Sequence, residues 1–266
     1  MMKTSGNQEV VWVTGASSGI GRGLAKRLAE QGSCVIASAR SIDILKDLSQ
    51  ENKNITPRSL DVCDANSLSA AATDIQNQFG YIDKVIINAG SCEYFDVTDP
   101  DWDMMRRVME VNYFGSINTV AQALPLLRNA ISKNKSEHSN NLENKQPEII
   151  VIASLASVVP FPRAEAYGSS KAALQYFFES LRVDLAKENI AVTIVQPGFV
   201  KTPLTDKNDF PMPFLIDVDT AVNVIVDKIK SKRKLFYFPK RLGWLIYFMR
   251  AVPALWHWLV TKQLAR

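Results

Sequence analysis

Tyr167 and Lys171 stand four residues apart in the run EAYGSSKAAL, the spacing that puts two side chains on one face of a helix. A free phenol has a pKa of about 10 and is a poor base near neutrality. An ammonium beside it favours the phenolate and lowers that value, which makes a tyrosine a usable proton donor and acceptor. An isolated pair of this kind is ordinarily two solvated side chains. It becomes a reaction centre only where the chain supplies further polar groups and elements that hold them together.

Those elements are legible as an alternation of short β-rich runs with amphipathic helical ones. EVVWVTG is a first strand that stops at Gly15, and GIGRGLAKRLAEQG repeats apolar residues at Ile20, Leu24 and Leu28 before closing at Gly32, a helix-ending residue. SCVIASA, ITPRSLDV and IDKVIINAG are the next strands, separated by the helical runs SIDILKDLSQEN, with Ser41 as its N-cap, and NSLSAAATDIQNQFG. A long helix is expected from about Trp102 to Ile131, then a strand EIIVIAS, a helix from Ala164 to Lys187 and a strand IAVTIVQPG. The helix DVDTAVNVIVDKIKSK and the strand KLFYF follow. Strands joined through helices require a parallel sheet, and right-handed crossovers place the helices on both faces. The expected class is therefore a doubly wound α/β sheet, one domain over residues 1–240. Residues 132–147, strongly polar, are expected to form a surface loop, and residues 241–266 an apolar and basic helical tail.

The first strand runs into TGASSGIG, with Gly15, Gly19 and Gly21 between strand and helix. Glycines there let the backbone turn tightly and bring helix N–H groups against a pyrophosphate. The spacing is TGxxxGxG rather than GxGxxG, and with YxxxK at Tyr167 and Lys171 the sequence resembles the short-chain dehydrogenase/reductase family from about residue 9 to 240. Four further motifs continue the resemblance in order. Asn88, Ala89 and Gly90 end the fourth strand, where the family lines the adenosine and ribose side of its cofactor. Asn112 in VNYFG matches the family's catalytic asparagine, and Ser154, thirteen residues before Tyr167, its catalytic serine. PGFVKT supplies Pro197, Gly198, Val200 and Thr202, which in the family close over the nicotinamide. The chain departs from its relatives at Ile87, where they often carry asparagine, and in the longer polar segment 132–147.

The resemblance implies a nicotinamide dinucleotide held by Gly15, Ser17, Ser18, Gly19, Ile20 and Gly21, with Lys171 near its ribose. It implies that Tyr167 exchanges a proton with a carbonyl or alcohol oxygen, that Ser154 holds the same oxygen, and that Asn112 holds a water linking Lys171 to solvent. The cofactor supplies the hydride. The second strand ends in Ala39, Arg40 and Ser41, and the first acid is Asp43 in the next helix. An enzyme selective for NAD would place an acid at that strand end, whereas a guanidinium pairs with a 2′-phosphate. The expected cofactor is NADP(H), hence the reductive direction, with Asp61 and Val62 matching the family's adenine contact.

Composition excludes several other classes. A formal net charge of +4 is too weak for nucleic-acid binding. Cys34, Cys63 and Cys92 lack CxxC spacing, so neither a disulfide framework nor a zinc site is expected, which suits a cytoplasmic protein. Two histidines, His138 in the polar segment and His257 in the tail, make a Ser-His-Asp hydrolase improbable. Segments bordering the substrate are apolar: Phe95, VVPFP after Ser154, Phe199, and Phe210, Met212 and Phe214 beyond Thr202. A hydrophobic ketone, aldehyde or alcohol fits them. The family also implies a homodimer or homotetramer, built on the two long helices.

Ten basic residues and one acid, Asp227, fall within residues 227–266, so that segment is +9 and the remainder −5. Leu242 to Val260 holds three of the five tryptophans, with Pro253 dividing it. Three placements fit this tail: lying on an anionic membrane surface, covering the pocket or a subunit interface, or spanning a bilayer. Two other functions also fit the chain: a family member that retains its cofactor through an epimerisation, and a non-catalytic, membrane-associated nucleotide-binding protein.

Overall fold

The computed structural model describes residues 8–137 and 146–263. Seven strands form one parallel sheet: β1 Val10–Thr14, β2 Cys34–Ala39, β3 Ile55–Ser59, β4 Lys84–Ile87, β5 Glu148–Ile152, β6 Ala191–Pro197 and β7 Leu235–Phe238. Their spatial order is β3-β2-β1-β4-β5-β6-β7. The sequence order reverses between β1 and β4, where neighbouring connections leave for opposite edges. A crevice outside the carboxyl ends of the strands belongs at that point.

Helices cover both faces, and the period of 2 in the strands assigns residues to each. Val11 and Val13 join Ile86 and Ile150 under α1 (Gly19–Glu30), α2 (Ile42–Glu51) and α7 (Val218–Lys230), against Leu24, Leu45 and Ile225. Val10 and Trp12 point the other way, with Ile87 and Val151, toward α3 (Ala65–Phe79), α5 (Gly115–Glu137) and α6 (Glu165–Leu185). Central strands buried on both faces read as continuous apolar runs, as VVWVT and EIIVI do. Trp12, fully buried, keeps its indole N–H satisfied by donating to Ser38 Oγ at 2.9 Å.

Two expectations need correction. The helix drawn through Trp102–Ile131 is α4 (Asp103–Met109), then a π-helical turn over Glu110–Phe114, then α5. Wider i→i+5 turns of this kind occur at functional sites, and Asn112 sits in the middle of this one. The polar loop is shorter than drawn, because α5 continues to Glu137 and β5 starts at Glu148. Lysines and serines without a glycine or proline stop signal let the helix run on. Residues 138–145 of that segment, His138 among them, lie outside the described residues.

The tail forms two helices, α8 (Lys240–Ala251) and α9 (Pro253–Gln263), divided at Pro253 as expected. No helix among the described residues is long and apolar enough to cross a membrane, which removes spanning by these two.

Candidate active site

The carboxyl end of β1 passes directly into the glycine turn. Gly15 and Gly19 take φ of +66° and +52°, a region where a side chain is strained. Space is the second constraint. A methyl on Gly15 would lie 2.8 Å from Ala89 Cα, and one on Gly21 would lie 2.3 Å from Asn88 Nδ2. Asn88 Nδ2 donates to the carbonyls of Thr14 and Gly15 at 3.2 and 3.1 Å, which fastens the end of β4 to the turn. Ser18 stands at the N-cap of α1 without using its side chain as a cap. Thr202 lies over the turn, since a methyl on Gly19 would meet Thr202 Cγ2 at 3.0 Å.

The other residues expected on the cofactor side are placed as follows. Ser17 and Ile20 lie within the turn and the first turn of α1. Arg40 is exposed at the end of β2, followed by Ser41 at the N-cap of α2. The nearest acid downstream, Asp43, is occupied by Lys46 at 3.2 Å. Asp61 accepts from Cys63 N at 3.0 Å, which fixes its own turn, while Val62 is buried where a methyl on Gly115 would touch it. Pro197 ends β6, Gly198 N donates to Phe238 O at 2.7 Å, and Val200 is buried and bridges Ile216.

Ser154, Tyr167, Lys171 and Asn112 come together at the ends of β4 and β5. Ser154 lies two residues past β5, its hydroxyl accepting from Ala156 N at 3.1 Å and near enough to the Tyr167 phenol to act on its titration. Lys171, one turn further along α6, is buried and donates to Ile152 O at 3.0 Å, with Nζ 5.9 Å from the Tyr167 ring centroid. A methyl on Gly90 would come within 3.1 Å of Asn112 Oδ1 and 3.5 Å of Lys171 Nζ, so the absent side chain leaves the space beside both. Asn112 accepts from Ser91 N at 2.8 Å and donates to Ser91 O and Ser170 Oγ, each at 2.9 Å.

The electrostatics differ from the expectation of a lowered phenol pKa. Burial pushes Tyr167 up to about 12, with the neighbouring Ser154 hydroxyl acting in the opposite direction. Burial likewise pulls Lys171 down to about 8. In this site desolvation outweighs the pairing of ammonium and phenol, because the ammonium is directed at the Ile152 carbonyl. At neutral pH the phenol is therefore a proton donor beside a cation.

The segments expected to border a substrate are apolar and cross-linked to one another. Phe95 packs with Met104, Val108 and Ala166. Tyr94 hydrogen-bonds Asn208 and meets the Phe210 ring edge-on at 5.6 Å, and Arg163 pairs with Asp209 at 2.8 Å. These contacts tie the segment after Thr202 to Tyr94 and Arg163. The tail closes another side. Leu242, Ile246, Met249 and Trp256 bury themselves with Leu155, Val158 and Val159 just beyond Ser154. Arg250 donates to Val158 O at 2.7 Å and Trp256 Nε1 to Pro160 O at 2.8 Å.

Sequence reasoning missed three contributors. Thr14 Oγ1 donates to Ile86 O at 3.3 Å and accepts from Asn88 N at 3.1 Å, joining β1 to β4 beneath the cofactor turn. Its signal was the Thr of TGASSGIG. Ser170, inside YGSSK, and Ser91, after NAG, are the partners that orient Asn112. A separate cleft of about 330 Å³, bordered by Glu9, Ser33 and Lys84, lies at the opposite end of the strands.

A family model for short chain dehydrogenase matches residues 9–211. An uncharacterized oxidoreductase of Myxococcus xanthus is 35% identical over 235 residues, covering 87% of each chain. The mouse dehydrogenase/reductase SDR family member 7B is 34% identical over 74% of this chain, and the match spans 59% of that longer protein. Among solved structures, a short-chain dehydrogenase from Burkholderia cenocepacia in complex with NADP superposes with a TM-score of 0.79 at 25% identity, over 97% of this chain and 99% of that one. One from Burkholderia phymatum in complex with NAD reaches 0.80 at 18% identity, covering 95% and 96% of the two chains, a likeness of fold. With Ser154, Tyr167 and Lys171 converging beside the glycine turn, the protein belongs to the short-chain dehydrogenase/reductase family of oxidoreductases.

Proposed function

We propose that the protein uses NADP(H) to interconvert a carbonyl and an alcohol, reducing a hydrophobic ketone or aldehyde. The observation that carries this is buried Lys171, one helical turn from Tyr167 and 5.9 Å from its ring centroid, with the Ser154 hydroxyl beside the same phenol. A substrate oxygen placed against the two hydroxyls would be held by Ser154 and receive a proton from Tyr167, with Lys171 recharging the phenol. Asn112 acts through others, holding Ser91 and Ser170. A water between Asn112 and Lys171 would complete the path to solvent.

The dinucleotide fits the residues that would hold it. Gly15, Ser17, Ser18, Gly19, Ile20 and Gly21 would form the cradle at a helix N-terminus, where an anion is favoured and the three glycines leave the backbone open to it. Asn88, Ala89, Gly90, Pro197, Gly198, Val200 and Thr202 border it, and Ser91 Oγ is buried there without a partner among the described residues. Bound, it supplies the hydride. Support for NADP over NAD comes from exposed Arg40 and Ser41 in place of an acid, and from the NADP in the Burkholderia cenocepacia relative. Asp61 and Val62 would border the adenine.

Residues 1–240 would form the catalytic domain, with 241–266 as its cover. Two or four copies would pair through the outer faces of α5 and α6, where Tyr176 and Val183 on α6 and Phe114 at the end of the π-helical turn before α5 are exposed. Three unpaired cysteines suit a reducing compartment such as the cytoplasm.

The test is NADPH absorbance against medium- and long-chain ketones and aldehydes, with wild type and Tyr167→Phe. Net consumption is expected, reduced by about 10²–10⁴-fold in the variant with NADPH binding retained. Product without consumption would indicate an epimerase, and binding without turnover a non-catalytic protein.

A further inference from the structure

The helices α8 and α9 are apolar on two sides, and the domain uses only one. Leu242, Ile246 and Met249 turn inward at i, i+4 and i+7, and Trp256 continues that face. Trp244, Leu245, Phe248, Val252, Leu255 and Trp258 turn outward, with Trp244 71% and Trp258 53% exposed. A helix apolar all round is ordinarily buried, and a contiguous exposed patch marks an interaction surface. Around it stand Lys240, Arg241, Arg250 and Lys262, and the chain has no acid after Asp227. Lys262 Nζ lies 4.8 Å over the Trp258 ring, so cation and aromatic present together.

Charge decides the occupant. A second copy seated on this face would bring the same cations against themselves, because a two-fold contact pairs a patch with itself. Helices of 12 and 11 residues are too short to cross a bilayer. Short helices bearing tryptophans and cations instead lie in the plane of a lipid surface, apolar side chains in the acyl boundary and cations among anionic headgroups.

We infer that α8 and α9 dock the protein on an anionic lipid bilayer, with the loop behind Ser154 held against the membrane-facing helices. The inward face and that loop share a cleft of about 280 Å³ lined by Val158, Pro160, Met249, Arg250 and Trp256. The substrate wall and the docking surface are thus two sides of one pair of helices, which suits a lipid-borne carbonyl entering from the bilayer. That route of entry rests on the oxidoreductase reading; the docking does not.

The full chain is sedimented with phosphatidylcholine vesicles, with and without phosphatidylserine, at low and high salt. Binding is expected to phosphatidylserine vesicles at low salt, about tenfold stronger than to phosphatidylcholine alone, and to be lost in the combined variant Trp244→Glu, Phe248→Glu, Trp258→Glu. Brominated lipid should quench wild-type tryptophan fluorescence, a readout that needs no variant. NADPH turnover of a short, water-soluble ketone should be unchanged in the variant. Absence of sedimentation and quenching at low salt overturns the docking. So does binding that survives the three substitutions, or a variant that loses only self-association. Failure of wild type to turn over any carbonyl would instead count against the oxidoreductase reading alone.

Discussion

Asn112 Nδ2 donates to Ser170 Oγ at 2.9 Å, so the π-helical turn is fastened to the helix that carries Tyr167 and Lys171. The same amide side chain satisfies both backbone groups of Ser91. Asn112→Ala leaves buried polar groups unpaired, at a cost of about 2 kcal/mol. It is expected to lower the melting temperature and cut kcat by about tenfold or more. Ser170→Ala, which removes one bond, should cost about 1 kcal/mol and leave most activity. A shift in the Lys171-dependent limb of the pH profile in Asn112→Ala would mark positioning of the proton path, and an unshifted limb a purely structural role.

Lys171 titrates near 8 in the folded chain against an ordinary 10.5. Between those values the unfolded chain binds more protons, so this residue's contribution to stability rises with pH across that window. Below it the buried cation is a penalty. Lys171→Met should therefore raise stability near neutrality by about 2 kcal/mol while abolishing activity, and the gain should fade as the pH passes from about 8 to 10.5. Chemical denaturation of both proteins at several pH values measures this. In wild type, reductive activity should fall as the pH rises through about 8, while Tyr167, pushed up to about 12, stays protonated.

Arg40 is exposed at the end of β2, and no carboxylate among the described residues forms an ion pair with it. Arg40→Ser should weaken NADPH binding by about ten- to a hundredfold, the range for a charge-assisted hydrogen bond, and leave NADH nearly unaffected. Fluorescence titration with both nucleotides reads the difference. An equal loss for both would mean that the guanidinium only stacks on the adenine.

A methyl on Gly243 would lie 1.9 Å from the Tyr237 ring, so α8 approaches β7 only because that side chain is missing. Gly243→Ala should cost about 1–3 kcal/mol through overpacking. Because α8 also braces Val158, the KM for a bulky substrate should rise more than that for a small one. Thermal melts and paired kinetics on two ketones test both effects.

Strands and helices were legible because buried parallel strands leave long apolar runs, while amphipathic helices and terminal glycines punctuate them. Ser154, Tyr167 and Lys171 were legible by spacing and resemblance. The π-helical turn was not, since Glu110–Phe114 has ordinary helical composition and its central Asn112 is bonded to Ser91 and Ser170, partners that lie far away in the chain. The phenol's upward shift was hidden for a similar reason. Adjacency along a helix shows which charges are near, whereas burial is set by elements far away in the chain.

The pairing of β1 with β4 has a consequence for synthesis. Val11–Val13 take Lys84–Ile86 as neighbours, and Thr14 meets Asn88 across more than seventy positions. A ribosome must therefore release almost a third of the polypeptide before the nucleotide cradle can close, and loop-closure entropy delays it further. Nascent chains cannot be rescued by the coenzyme until then.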